Sequence, residues 1–335
     1  MTQTAPARHD VCAVGNAIVD VLAPCDEAFL AREGLPKGSM QLIDEARSAA
    51  LYDAMAPGVE ASGGSAGNTV AGVGSFGGQA AYIGKVAEDQ LGEVFSHDIR
   101  AAGVVFTTPY LSDGPGTGRC LINVTEDGQR TMATYLGAAN QLSAADIDEA
   151  LIADSAIVYL EGYLFDPAPA REAFARAAEA AHRAGRRVAI TLSDTFVVDR
   201  WRPELLAFIE ASADIVLANR AELLALFQTE EFDAACDALA ERTEVSAVTC
   251  SEDGSVLLRG DERVRIPAFP VGRVIDTTGA GDQYAAGFLL GLARGLELPD
   301  AGALGALAAA EVISHWGPRP LVSLEALARD RGLPL

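Results

Sequence analysis

From residue 140 onward the chain repeats one pattern, a short apolar run followed by a stretch of helix length. Residues 156–160, 187–192, 214–217, 245–249 and 255–258 read as strands, and 169–184, 203–211, 220–227, 232–242 and 300–315 as helices. Short apolar runs alternating with helical periodicity fit strands covered on both faces, joined by right-handed crossovers. The pattern predicts an α/β fold with a doubly wound, mostly parallel sheet flanked by helices. The 335 residues suffice for one large or two modest domains.

The first 140 residues depart from this rhythm. A strand over 11–15 leaves through Asn16-Ala17-Ile18-Val19-Asp20, but 24–60 is broken by Pro24, by Gly and Pro at 34–38, and by Pro57-Gly58. A helix is expected over 44–55. Gly63-Gly64-Ser65-Ala66-Gly67-Asn68-Thr69 then opens a small-residue helix to about Phe76, followed by a strand over 80–86 and a helix over 89–102. Residues 119–124 and 130–135 flank Glu126-Asp127-Gly128, a hairpin signal. Pairing this hairpin with the 17–60 excursion gives a small β lid of 18–60 and 115–138. The rest, 1–17, 61–114 and 139–335, forms the large domain.

Charge restricts the partners. With 47 Asp and Glu against 25 Lys and Arg, the net charge is −22. That balance disfavours nucleic acid and anionic membranes. No run reaches membrane-spanning length, and residues 1–10 are polar without a signal-peptide layout. Five scattered cysteines form no Cys-x-x-Cys pair, which fits free thiols and a cytoplasmic location.

Chemistry concentrates in Asp276-Thr277-Thr278-Gly279-Ala280-Gly281-Asp282, which runs from an expected strand over 273–275 into a helix ending near Arg294. A glycine-bearing loop entering a helix presents unpaired amides and the positive end of the dipole to an anion. The same residues also suit ordinary capping, with Thr277 or Thr278 as N-cap. Asp20 reads either as a water-facing edge residue or as a ligand-binding group at a strand's C-terminal end. Asn219-Arg220-Ala221-Glu222 is a capping-box spacing. Arg130 is an exposed arginine or a phosphate contact.

The run from Asp276 to Asp282 resembles the C-terminal signature of the ribokinase-like (PfkB) family of carbohydrate and nucleoside kinases, and Gly63-Gly64 with Asn68 resembles its N-terminal signature. The resemblance covers nearly the whole chain. It implies that Asp282 takes the proton of the acceptor hydroxyl, while Gly279, Ala280 and Gly281, with Arg130, hold the transferring phosphate. It also implies ATP with Mg2+, organised through Glu222 and water beside Asn219. Thr249 and Gly254 would contact the nucleotide, with Ser251 where the family usually has glycine. The loop through Asp276 and Thr278 resembles the potassium-binding loop of several relatives, which makes a K+ site there an expectation.

Within the family the resemblance is to adenosine kinases, through residues 15–20, 63–68, 130–140 and 192–196. It implies Asn16, Asp20, Gly63, Gly64 and Asn68 around the ribose, and Leu136, Ala138 and Leu164 around the base. A sugar kinase acting on ribose, fructose or ketodeoxygluconate shares the same catalytic motif. The lid's free edge is either a dimer interface or solvated, so monomer and homodimer both stay open. A remote alternative, an NAD-dependent oxidoreductase, rests only on the Gly-x-Gly-x-x-Gly match at 72–77. That match follows a helix and precedes a strand, the reverse of the dinucleotide order. Gly84-Lys85 is not a P-loop, since Gln79 and Val86 stand where Gly and Ser or Thr belong.

Overall fold

The computed structural model describes residues 6–335. The polar reading of the first ten residues and the start of the expected large domain therefore lie partly outside the described residues. The strands, in chain order, are β1 (His9–Val14), β2 (Ile18–Pro24), β3 (Met40–Leu42), β4 (Val59–Ser62), β5 (Ala80–Ile83), β6 (Val104–Phe106) and β7 (Thr117–Val124). They continue as β8 (Arg130–Gly137), β9 (Ser155–Glu161), β10 (Arg187–Thr191), β11 (Ile215–Asn219), β12 (Val245–Thr249), β13 (Ser255–Arg259) and β14 (Glu262–Ile266).

Nine strands form a large sheet in the order β14-β13-β12-β11-β10-β9-β1-β5-β6. β13 and β14 run antiparallel at one edge, and the other neighbours pair parallel. Alternate residues of β1 enter opposite layers: Val11 and Ala13 join one hydrophobic core, Cys12 and Val14 the other. This is the two-faced burial expected of a doubly wound sheet. The chain runs outward from β1 to β5 and β6, then returns to β9 on the other side of β1. The order reverses there, so a crevice opens beyond the C-terminal ends of β1 and β9.

The remaining five strands form a second sheet, β3-β8-β7-β2-β4. The hairpin β7–β8 pairs Val124 with Arg130 across the expected turn. The excursion between β1 and β5 supplies the other three strands.

Two sequence expectations are corrected. Residues 273–275 form no strand; Val274 is half exposed, and the loop is tied down by Ile275 N–H donating to Ile313 O at 2.8 Å. Only Val274 and Ile275 are apolar in this stretch, a run too short to make a strand of its own. The helix expected over 203–211 runs Thr195–Ser212, with a kink at Trp201 just before Pro203. Proline removes a helical donor and crowds the preceding turn, which accounts for the break.

The helix Ala280–Ala293 is buried along most of its length against helices Leu298–Val312 and Ser65–Ser75. Close approach explains the glycine match at 72–77. A Cβ on Gly72 would lie 2.1 Å from Gln283 Oε1 and 2.7 Å from Ala286 Cβ. Gly72 makes room for a neighbouring helix, and the dinucleotide order is absent: helix Ser65–Ser75 precedes the turn and β5 follows it. Gly72→Ala is expected to destabilise the fold by about 1–3 kcal/mol, the usual cost of overpacking, measured by denaturant unfolding.

Candidate active site

A cleft of about 410 Å3 lies between the two sheets at the reversal point. Its polar floor is organised by Glu161, at the C-terminal end of β9. Glu161 Oε1 accepts from Asn16 Nδ2 at 2.7 Å, and Oε2 accepts from Ala66 N at 2.9 Å and Asn16 N at 3.3 Å. One buried carboxylate thus joins the loop after β1 to the start of helix Ser65–Ser75. Burial pushes its pKa up to about 7, against the pull of these donors.

Asp282 lies in the first turn of helix Ala280–Ala293. Ser65 Oγ donates to its Oδ1 at 2.6 Å and Asn68 Nδ2 to its Oδ2 at 3.1 Å. Burial raises its pKa to about 6, while Ser65, Asn68 and the Arg130 charge pull it down. The result is a carboxylate ionised near neutrality yet poorly solvated, the balance a proton acceptor needs.

The capping alternative at Thr277 or Thr278 is not realised. Gly279 is the N-cap, at φ +73 and with no side-chain cap. A side chain there would also meet Pro318, whose O lies 2.6 Å from the position of a Cβ. Gly281 differs, because a Cβ there would face open space. Gly279, Ala280 and Gly281 all line the cleft, so the first-turn amides, which lack helical partners, open onto it.

Thr278 instead serves Asp276, donating through N at 2.9 Å and Oγ1 at 2.6 Å. Gly317 N donates to the other carboxylate oxygen at 3.0 Å, and Arg130 Nε lies 2.7 Å from Asp276 Oδ1. Arg130 also reaches Thr277 Oγ1 at 3.2 Å. It therefore bridges the small sheet to the loop that leads to Asp282. With Arg130 in this place, Asp276 has a counter-charge as well as its donors.

Asp20 is buried on β2. A Cβ on Gly63 would lie 2.1 Å from its carboxyl carbon, so the glycine makes space for the carboxylate rather than lining the cleft. Burial raises the Asp20 pKa to about 7, Arg319 pulls it down, Asp282 pushes it up, and Arg130 and the Gly64 N–H also favour the ion. Asn16, Asp20, Gly64, Asn68 and Leu136 line the cleft. Ala138 and Leu164 are wholly buried and lie off its wall, where Ile18, Ile122 and Met132 stand instead.

Toward the other end, Asn219, Glu222 and Thr249 line the cleft. Asn219 and Glu222 form a reciprocal cap: Glu222 Oε1 accepts from Asn219 Nδ2 at 2.6 Å and Oε2 from Asn219 N at 2.9 Å. Burial raises the Glu222 pKa to about 7. A nearby cation would relieve that penalty, and since both oxygens are engaged, the fit is to a hydrated magnesium ion reached through water. Among the described residues no group of three or more His, Cys, Asp or Glu gathers as a metal cage. Ser251 and Gly254 lie outside the lining, in the turn joining β12 to β13. Ser251 adopts φ +52, the left-handed conformation open to the glycine it replaces.

The fold is shared with known proteins. Residues 47–324 match the pfkB family carbohydrate kinases. The chain belongs to this family. It is a phosphotransferase of the ribokinase-like fold. It is 54% identical to the adenosine kinase of Sinorhizobium meliloti, at a TM-score of 0.93, covering 97% of this chain and 100% of that one. Similarity to a probable sugar kinase of Rhizobium etli CFN 42 is comparable, with 49% identity, a TM-score of 0.94, and coverage of 98% and 100%. The adenosine kinase of Saccharomyces cerevisiae is 27% identical, over 91% of this chain and 95% of its own.

The sequence reading missed Glu161, Ser65 and Arg319. Glu161 carried a signal, a lone acid closing an apolar strand. Ser65 sat unremarked inside a motif, and Arg319 lies in a loop with no pattern. Because Ser251 is exposed and holds a strained backbone angle, Ser251→Gly should raise stability by up to about 1 kcal/mol, read from thermal melting with and without ATP.

Proposed function

We propose that the chain transfers the γ-phosphate of ATP to the 5′-hydroxyl of adenosine, giving AMP and ADP. The observation that carries this reading is the division of the cleft. Its polar end gathers Asp282, Asn68, Asp20 and Asn16, while Ile18, Ile122, Met132 and Leu136 form an apolar wall on the small sheet. A ribose fits the first and a purine the second. The similarity to the adenosine kinase of Sinorhizobium meliloti supports the same acceptor.

In this reading Asp282 takes the proton from the acceptor oxygen as that oxygen bonds to phosphorus and the bond to ADP breaks. Charge neutralisation and alignment carry most of the acceleration in such a transfer. The amides of Gly279, Ala280 and Gly281 would hold the equatorial oxygens. Arg130 is poised at the edge of the same loop and would turn from Asp276 to the phosphate. Asn219 and Thr249 would meet the nucleotide. Magnesium, held by ATP and water with Glu222 beyond, supplies further neutralisation when bound. The segments 18–60 and 115–138 act as a lid, excluding water from the acceptor. Five free cysteines fit a reducing cytoplasm.

A second reading, phosphorylation of a free sugar, is favoured by the likeness to the probable sugar kinase of Rhizobium etli. Asn16, Asp20 and Asn68 would also suit a polyol. ADP release with Mg-ATP should therefore be measured against adenosine, inosine, guanosine, ribose, fructose and ketodeoxygluconate. Preference for adenosine is expected, and preference for a sugar would replace the acceptor while leaving the chemistry.

Asp282→Asn should be accommodated, since the Ser65 hydroxyl can rotate to accept from the new amide. Turnover is expected to fall by roughly 10^2–10^4, the usual contribution of a general base, with adenosine binding by calorimetry nearly unchanged. The base works only when ionised, so kcat/KM, which reports the ligand-free protein, should fall as pH drops through about 7 to 6, where Asp20 and Asp282 take up protons.

A further inference from the structure

We propose that Arg319 positions the Asn68 amide, aiming its NH2 at Asp282 and so governing how well that carboxylate serves as the base. This rests on the reading of Asp282 given above. Arg319 Nε donates to Asn68 Oδ1 at 3.3 Å, and Asn68 Nδ2 donates to Asp282 Oδ2 at 3.1 Å. An amide has one accepting and one donating end. Guanidinium can only donate and a carboxylate can only accept. A flipped Asn68 would set oxygen against oxygen at Asp282 and N–H against N–H at Arg319. The orientation is therefore dictated by its two neighbours.

The backbone around the relay is fixed as well. Gln283, next to the base, donates from Nε2 to Asn68 O at 3.0 Å and to Pro318 O at 3.0 Å. One side chain thereby ties the Arg319 loop to helix Ser65–Ser75. Arg319 Nη2 is shut off from solvent with no partner of its own, so solvation does not explain its placement. Its charged and titratable neighbours are Asp20, Asp98 and Tyr82.

The titratable groups around Asp282 come from several elements: Arg130 on β8, Asp20 on β2, Tyr159 and Glu161 on β9, and Tyr163 just beyond. Among them Arg130 stabilises the ionised base by its charge, and Ser65 and Asn68 by direct donation. Without Arg319, Asp282 alone holds the Asn68 amide, and its donation to the base is less firmly aimed.

The test is steady-state kinetics of the full chain with Mg-ATP and whichever acceptor of the panel it turns over, for Arg319→Met and Arg319→Lys. In Arg319→Met, kcat should fall roughly ten- to hundredfold, the usual effect of losing a hydrogen bond to a charged group. The KM for ATP should hold within about twofold, a shift small against that loss. The acid limb of the kcat–pH profile should move upward. Arg319→Lys, which still donates, should recover most of the rate and the wild-type limb.

A folded Arg319→Met with unchanged kcat and an unmoved limb would overturn the assignment while leaving Asp282 as base. So would a loss that Arg319→Lys shares in full. If Arg319→Met proves too unstable to assay, Arg319→Gln keeps an N–H for Asn68 without the charge and must retain the wild-type acid limb; a displaced limb counts against the proposal. A wild-type chain that phosphorylates none of the acceptors overturns both this inference and the function on which it rests.

Discussion

Glu161 is the contact on which the cleft depends. Its carboxylate is withdrawn from water at the end of β9 and answered by three N–H groups from two other segments. Removing it would leave those donors buried and unpaired, a cost above that of an average hydrogen bond. The consequences spread beyond Glu161. Ala66 opens the helix that carries Ser65 and Asn68, and these two side chains hold Asp282. Asp282 is therefore positioned, through two steps, by a residue from a strand on which it does not lie.

Reactivity and architecture divide between the two sheets. The large sheet supplies the reversal point, the floor and the uncapped helix. The small sheet supplies Asp20, the apolar wall and Arg130. Only a few polar links cross between them. The Arg130–Asp276 pair is one, and it sits where charge must be rearranged for phosphate to enter. A pair so placed holds the sheets together while leaving its cation free to change partners, which a hydrophobic seam would not do.

The parallel sheet was legible because each strand sits in a run with its own helix, and local pattern is enough to mark such runs. The strand expected at 273–275 failed for the converse reason: only Val274 and Ile275 are apolar there, too few to carry a pattern. Asp282, Gly279 and Asn68 were legible because they lie in short glycine-bearing runs, and the structure brings all three to one cleft. Arg319 and Glu161 act across long separations, and no local spacing records that. Ala138 and Leu164 show the limit of carrying roles from resemblance, since both are apolar and near the site in sequence yet lie behind the cleft wall. Ser251 shows the opposite case, where a residue other than the family's glycine holds a left-handed angle that glycine adopts without strain.

The Arg130 guanidinium lines the cleft of a molecule of net charge −22. An anionic nucleotide therefore meets repulsion at long range and attraction only once inside. Repulsion between exposed charges is screened over about 10 Å at 0.1 M salt, whereas contacts in a closed cleft are screened far less. Added salt should then quicken the arrival of ATP while barely loosening its hold, the reverse of the behaviour of proteins that draw anions with a basic surface. The acidic exterior acts as a gate on encounter, and selectivity for the nucleotide is left to the interior.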